Sequence, residues 1–389
     1  MAEDAHFLKI RRKREMTNRE RALHILHYQK ADRMSAVHFG YWYELLEEWA
    51  QQGHIGKDVP RMWADGNETD RELDKLLGWD FNWFRTVGPQ NKLFPAFEYK
   101  VLEKLPDGFM RVQNADGLIE RIREGAGSIP AEDDYQLKDR EAFETLYKPK
   151  MQFSKDRIDY KYFTQDFAKR KDQDLPIGLN LGSVLGDVRN MLSVIGMSYL
   201  MCDDYDLFAE IIDTYAEMQY QCAEEVLKTG AKFDFAHYWE DICFKNGPLI
   251  SPAMFEELCA KHYKKRNDLC KKYGIDIISL DCDGVTEKLL PVWFENGVNT
   301  MFPIEVGTWG DQFAAAREKF GKGMLGVGAM DKTALRKDKA AVDEELKRMQ
   351  KLVELGGFIP CPDHRLMPGT KWELVQYYAE EVKKLKVFS

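Results

Sequence analysis

The sequence predicts an α/β protein, a (β/α)8 barrel of the TIM type with an N-terminal helical region and an inserted antiparallel β meander. Three observations lead there. From about residue 174 onward, six short apolar runs are each introduced by Gly or Pro punctuation, end in small or polar residues and alternate with amphipathic stretches. They are "LPIGLNLGS", "KFDFAHYWEDI", "GIDIISLDCDG", "GVNTMFPIEVG", "GKGMLGVGAMD" and "GGFIPCPD". A seventh run, "MSAVHFGYW" (34–42), and one unit hidden in the middle bring the count to eight. No GxGxxG follows a strand and no P-loop occurs, which disfavours a doubly wound nucleotide-binding sheet.

The elements follow in order. Thr17 and Glu20 have capping-box spacing ahead of "NRERALHILHYQ", which predicts a helix. The 34–42 run is a buried strand, and 44–95 is expected to be mostly helical and rich in tryptophan. Turn signals at Pro106–Gly108 and Asp116–Gly117 divide 96–125 into three segments of a meander. The charged stretch 127–150 is expected to be a surface connection leading into a helix. Ser251 and Pro252 suit the N-cap and first position of the helix "SPAMFEELCAKHYKKRNDLCKKY". Thr370 and Glu373 are spaced to cap the last helix. Residues 1–389 form a single domain on this reading, with 96–125 as its insertion.

Bulk properties narrow the function. The 389 residues are 44% hydrophobic, enough for a substantial core. Charged residues make up 31% and the net charge is −9, so the basic surface of a nucleic-acid binder is missing. No apolar run approaches the roughly 18–20 residues of a membrane span, and the N-terminus has no apolar core of a signal peptide. Seven scattered cysteines without a CxxC read as reduced thiols, so a cytoplasmic protein is expected.

In a barrel of this type, chemistry gathers at the C-terminal ends of the strands. Those ends carry His38, Tyr41 and Trp42; Asn180, Ser183, Asp187 and Arg189; His237, Trp239, Glu240, Asp241 and Lys245; Asp281 and Asp283; Glu305; and Asp363, His364 and Arg365. Strand alternation puts Asp281 and Asp283 on one face and Cys282 on the other. Paired acids after an apolar strand call for a cation, a proton or a substrate partner. Glu240 and Asp241 point to opposite faces, and either can be the one that reaches the pocket. Asp281, Asp283, His364 and Glu240 are the catalytic candidates, with the other polar and aromatic strand-end residues binding substrate. Trp42 is a candidate wall for a flat ligand.

Three stretches resemble the uroporphyrinogen decarboxylase superfamily: "TNRERALHILHYQKADRMSAVHFG", "NGPLISPAMFEEL" and "GGFIPCPDHRLMPGTKWE". The likeness covers roughly 16–45 and 174–386. It implies a barrel enzyme of one of two chemistries: cofactor-free decarboxylation of uroporphyrinogen, or methyl transfer between methylated compounds, zinc enzymes and corrinoid proteins. The decarboxylases hold their substrate with an arginine-rich motif after the first strand, where this chain reads "HFGYWYELLEEW". Acids there would repel a substrate with many carboxylates. The zinc methyltransferases have His-x-Cys at one strand end and Cys in the terminal loop; this chain has "LDCDG" and "PCPDHRL". Asp281, Asp283 and His364 thus fall at the ligand positions, harder donors than thiolates. The resemblance implies a corrinoid-dependent methyltransferase with a small methylated donor and a corrinoid-binding partner; aryl methyl ethers are the preferred donors because aromatic residues surround the strand ends. His364 or Asp283 would be the general acid, or all three residues would hold a divalent ion such as zinc. A decarboxylase or lyase of a small carboxylic acid, and a non-catalytic tetrapyrrole or corrinoid binder, are the competing readings.

Overall fold

The computed structural model describes residues 15–123, 130–310 and 312–387. Positions 1–14, 124–129, 311 and 388–389 lie outside the described residues, and with them the end of the 96–125 segment and the start of the 127–150 stretch. Helix Asn18–Leu26 starts on the expected capping box: Thr17 Oγ1 accepts from Glu20 N–H, and the Glu20 carboxylate accepts from Thr17 N–H.

Eight parallel strands form the barrel. The first, Val37–His38, pairs with Phe81–Asn82. The second is split, resuming at Thr86–Val87, which pairs with Gly178–Gly182. Phe235–Trp239, Ile278–Asp281, Thr300–Phe302, Leu325–Met330 and Phe358–Pro362 follow, each paired in parallel with its predecessor. The ring closes where Leu366 N–H donates to Gly40 O (3.0 Å) and Trp42 N–H donates to Leu366 O (2.9 Å).

The hidden strand therefore comes from 81–87, inside the segment expected to be helical. Helices Tyr43–Gln51, Val59–Met62 and Glu68–Leu77 occupy only its first part. Two-residue pieces interrupted at Trp83–Arg85 give no period-2 run to recognise. Trp83 nonetheless fills the barrel, stacking on Phe235 at 4.4 Å. Outside the ring, helices such as Tyr205–Lys228 bury residues at helical spacing, among them Phe208, Ile211, Ile212 and Tyr215. Each such side chain contributes about 1.5–3 kcal/mol on burial.

Ser251 Oγ caps helix Pro252–Lys272 as expected. The last helix, Trp372–Val382, departs from expectation. Its N-cap is Lys371 without a side-chain cap, and the Thr370 hydroxyl instead donates to Met367 O.

The insertion has four strands, not three: Lys100–Lys104, Phe109–Gln113, Leu118–Arg123 and Ala131–Tyr135. The last lies in the stretch expected to be a surface connection. It packs on helix Gly186–Asp203, where a Cβ on Gly196 would come within 2.6 Å of the Tyr135 ring. That helix breaks at Ser193 (φ 62), and the orphaned amide of Val194 is taken up by Glu132 (3.0 Å).

Candidate active site

Residues just past five strands converge at the C-terminal rim. Asp281 ends strand Ile278–Asp281 and is buried, while Asp283 lies two residues on. His364 follows strand Phe358–Pro362, and its Nε2 lies 3.2 Å from Asp283 Oδ2. Glu305 completes the group: one ligand atom each from Asp283, Glu305 and His364 lie within 4.8 Å of one another. Glu305 Oε2 accepts from Gly284 N–H (3.2 Å), and Oε1 is 3.5 Å from Lys332 Nζ. Asp283 Oδ1 is buried with no hydrogen-bond partner. An orphaned carboxylate oxygen inside a cluster of acids fits a missing cation or proton.

The electrostatics agree. Burial, then the charge of Asp283, push Glu305 up to about 7. Burial raises Asp281 well above the usual carboxylate range, with Asp283 and Asp241 adding to the shift. Asp241 is also raised, first by burial and then by Asp283, with Arg189 at 3.3 Å offsetting part of it. Of the adjacent pair Glu240 and Asp241, it is Asp241 that faces the cluster; its φ of 44° turns the chain as it leaves the strand.

Aromatic rings wall this group. His364 packs edge-on against Phe39 (5.4 Å) and beside Trp42 (6.0 Å). Arg365 lies over Phe39, Trp63 and Phe84 at 5.0, 5.5 and 5.7 Å, and both its terminal nitrogens donate to Asp65 (3.0 and 2.7 Å). Asn180 and Trp239 line an adjoining cleft of about 270 Å³ with Phe84, Asn91, Lys92 and Asp187.

Several residues singled out in the sequence lie outside the cluster. Glu240, a catalytic candidate, is wholly buried and spent on structure. It accepts from the amides of Val184 (2.6 Å), Leu185 (3.0 Å) and Gly186 (2.9 Å), from Ser183 Oγ (3.0 Å) and from Tyr263. The approach is so close that a Cβ on Gly186 would lie 2.0 Å from Glu240 O, so only glycine fits.

His38 is buried behind the rim. Its Nε2 is 2.7 Å from Asp74, and its Nδ1 accepts from Gly40 N–H (2.9 Å). Burial works against its charge and Asp74 works for it, with a net upward shift. The accepting Nδ1 fixes the neutral tautomer, with the Nε2 hydrogen on Asp74. His38, Asp70 and Asp74 could also be taken for a metal group. Asp70 is already filled by Trp63 Nε1, Gly66 N and Asn82 Nδ2, which argues against an ion there.

Tyr41 is core, packed on Trp49 and Trp63. Asp363 accepts from Gly307 N, Lys332 N and Lys332 Nζ, so it holds loops together. Lys245 is exposed, in the hairpin Cys243–Phe244 and Gly247–Pro248. His237 sits one layer down in the barrel, its Nδ1 3.1 Å from Ser279 Oγ, with burial lowering its pKa to about 3.

Lys332, Asp65 and the rings of Phe39 and Phe84 were not singled out in the sequence. Lys332 had a signal: it lies two residues past strand Leu325–Met330, as Asp283 lies two past its own strand. Asp65 had none, because its partner Arg365 is 300 positions away.

Fold and site together define a (β/α)8 barrel whose ionisable groups meet at the C-terminal rim. The chain belongs to the uroporphyrinogen decarboxylase (URO-D) family, whose model matches residues 121–385. Its fold is similar to that of a methyltransferase from Methanosarcina mazei, with a TM-score of 0.59 at 15% identity over 95% of this chain and 99% of that one. Weaker likenesses are a B12-independent methionine synthase from a Shewanella species (TM-score 0.43, 12% identity, 81% and 86% covered) and a putative one from Listeria monocytogenes (0.41, 14%, 91% and 97%). No curated protein sequence matches.

Proposed function

We propose that the protein is a methyltransferase that takes a methyl group from a small methylated donor, preferentially an aryl methyl ether, and passes it to a corrinoid held by a partner protein. The observation that carries this reading is the Asp283–Glu305–His364 cluster under the rings of Phe39 and Trp42. An aromatic ether can stack on such walls with its oxygen toward the cluster. In the transfer the oxygen–methyl bond would break with its electron pair left on oxygen, the reduced corrinoid of the partner would be the methyl acceptor, and the oxygen would take up a proton. On this reading Glu305 or His364 supplies that proton, a role supported by their position in the cluster.

The same three side chains suit a divalent ion such as zinc, since two carboxylates and an imidazole are an acceptable if hard donor set and Asp283 Oδ1 is free to ligate. When bound, such an ion supplies Lewis-acid stabilisation of the leaving oxygen. Lys332 and Gly284 would then orient Glu305, while Arg365 and Asp65 keep the aromatic wall in place.

Uroporphyrinogen itself is a poor candidate. Asp241, Asp281, Asp283 and Glu305 crowd the rim, while Arg189 and Arg365 are already paired. The test is incubation with a reduced corrinoid protein and a panel of methoxylated aromatics, reading loss of the reduced-cobalt absorbance and appearance of the phenol. No loss with any donor defeats the proposal, and release of CO₂ from a small acid would favour the decarboxylase reading instead.

A further inference from the structure

On the flank of the barrel, three guanidinium groups share one carboxylate. Arg71 lies on helix Glu68–Leu77, Arg85 directly precedes strand Thr86–Val87, and Arg170 follows the short helix Phe167–Lys169. Asp172 Oδ2 accepts from Arg71 (3.1 Å) and from Arg85. Arg170 Nε stays 3.6 Å from Asp172 Oδ1, beyond hydrogen-bond reach. Backbone carbonyls take other edges: Pro176 O from Arg85 and Phe167 O from Arg170, both at 3.0 Å. The Nε groups of Arg85 and Arg170 and the Oδ1 of Asp172 are buried without a hydrogen-bond partner, so the one carboxylate hydrogen-bonds these guanidiniums through a single oxygen.

The three arginines border a cleft of about 270 Å³ together with Tyr162, Thr86 and Asp172. Asp65 on its rim is already committed to Arg365. Three guanidiniums against one carboxylate, 3 − 1, leave two uncompensated positive charges. Arg85 is only 7% exposed, so that excess is poorly solvated. Arg170 registers it: burial, then repulsion from Arg85, lower its pKa.

Guanidinium edges match the geometry of oxyanions, and buried charge without a partner is costly. A liquid water occupies ~30 Å³, so the cleft has room for a polyatomic ion.

We propose that this cleft binds a doubly charged oxyanion of the phosphate class, either inorganic phosphate or the phosphomonoester end of a small metabolite. Two negative charges neutralise the excess, and the partly exposed guanidinium groups of Arg71 and Arg170 supply donors. The site is separate from the Asp283–Glu305–His364 cluster and does not depend on the methyl-transfer reading, so its test needs no activity.

Calorimetric titration of the full chain with inorganic phosphate, in low-salt phosphate-free buffer, should show saturable binding. Arg170→Gln and Arg71→Gln should each weaken it by about tenfold, the loss of one charge-assisted contact. Arg71 is the more exposed of the two and serves if R170Q fails to fold. Competition by glycerol 3-phosphate supports the phosphomonoester source, and its failure with phosphate still bound leaves inorganic phosphate. Succinate binding in preference to phosphate overturns the class. Absence of saturable binding, or affinity unchanged in both variants, overturns the site.

Discussion

Glu305 holds its proton nearly to neutrality because its carboxyl is buried and faces Asp283. Its folded pKa, about 7, lies above the roughly 4.3 of an exposed glutamate. The folded state therefore binds the extra proton. The associated stability is complete below about pH 4.3 and is lost as pH rises through about 7, at about 1.4 kcal/mol per unit between. In chelator-treated protein, denaturant melts across that window should show the slope, and Glu305→Gln should flatten it. A divalent ion on Asp283, Glu305 and His364 displaces the proton, so adding zinc should flatten the wild-type slope as well. A slope equal in wild type and E305Q would place the proton elsewhere. On activity, E305Q and His364→Ala are each expected to lose about 10²–10⁴-fold, the usual worth of a positioned proton donor.

At the scale of elements, Glu240 ties strand Phe235–Trp239 to the start of helix Gly186–Asp203. Its carboxylate accepts from three successive amides at that helix N-terminus, where a negative charge is favoured. Glu240→Ala strands those donors and Tyr263, and should cost about 3–5 kcal/mol in denaturant unfolding. The remaining folded protein should keep metal affinity, since Glu240 is not part of the cluster. Sequence alternation could not separate Glu240 from Asp241, because the strand ends at Trp239 and the φ of 44° at Asp241 breaks the two-residue period. Asp281, Asp283 and His364 were legible for the opposite reason. Each ends or follows a regular strand, and barrel topology alone brings such positions to one rim. Glu305 was legible as a rim residue, yet its pairing with Asp283 depends on how two loops turn after their strands. The second barrel strand was hidden by its interruption at Trp83–Arg85, and the fourth strand of the insertion by its run of acids, "AEDDY", which reads as surface.

At the scale of the whole molecule, charge and topology act together. The chain carries a net charge of −9, and four of its acids, Asp241, Asp281, Asp283 and Glu305, converge on the rim with no unpaired arginine beside them among the described residues, so the mouth offers little to hold a polyanion. The barrel that presents them is not uniformly stitched. Strands Leu325–Met330 and Phe358–Pro362 share five residue pairs, whereas the ring closes on a single bridge, Tyr41 with Leu366.

That bridge adjoins the site, because His364 and Arg365 immediately precede Leu366, and Trp42 follows Tyr41. Parting it would carry the histidine away from Trp42 and the guanidinium away from Asp65. The backbone amides of Trp42 and Leu366 should therefore act as native reporters of occupancy. In deuterium-exchange mass spectrometry they are expected to exchange faster than the amides of 326–330 in the empty protein, and to slow selectively when a ligand engages His364. Equal protection at both places, unaltered by ligand, would mean the ring parts only when the whole chain unfolds.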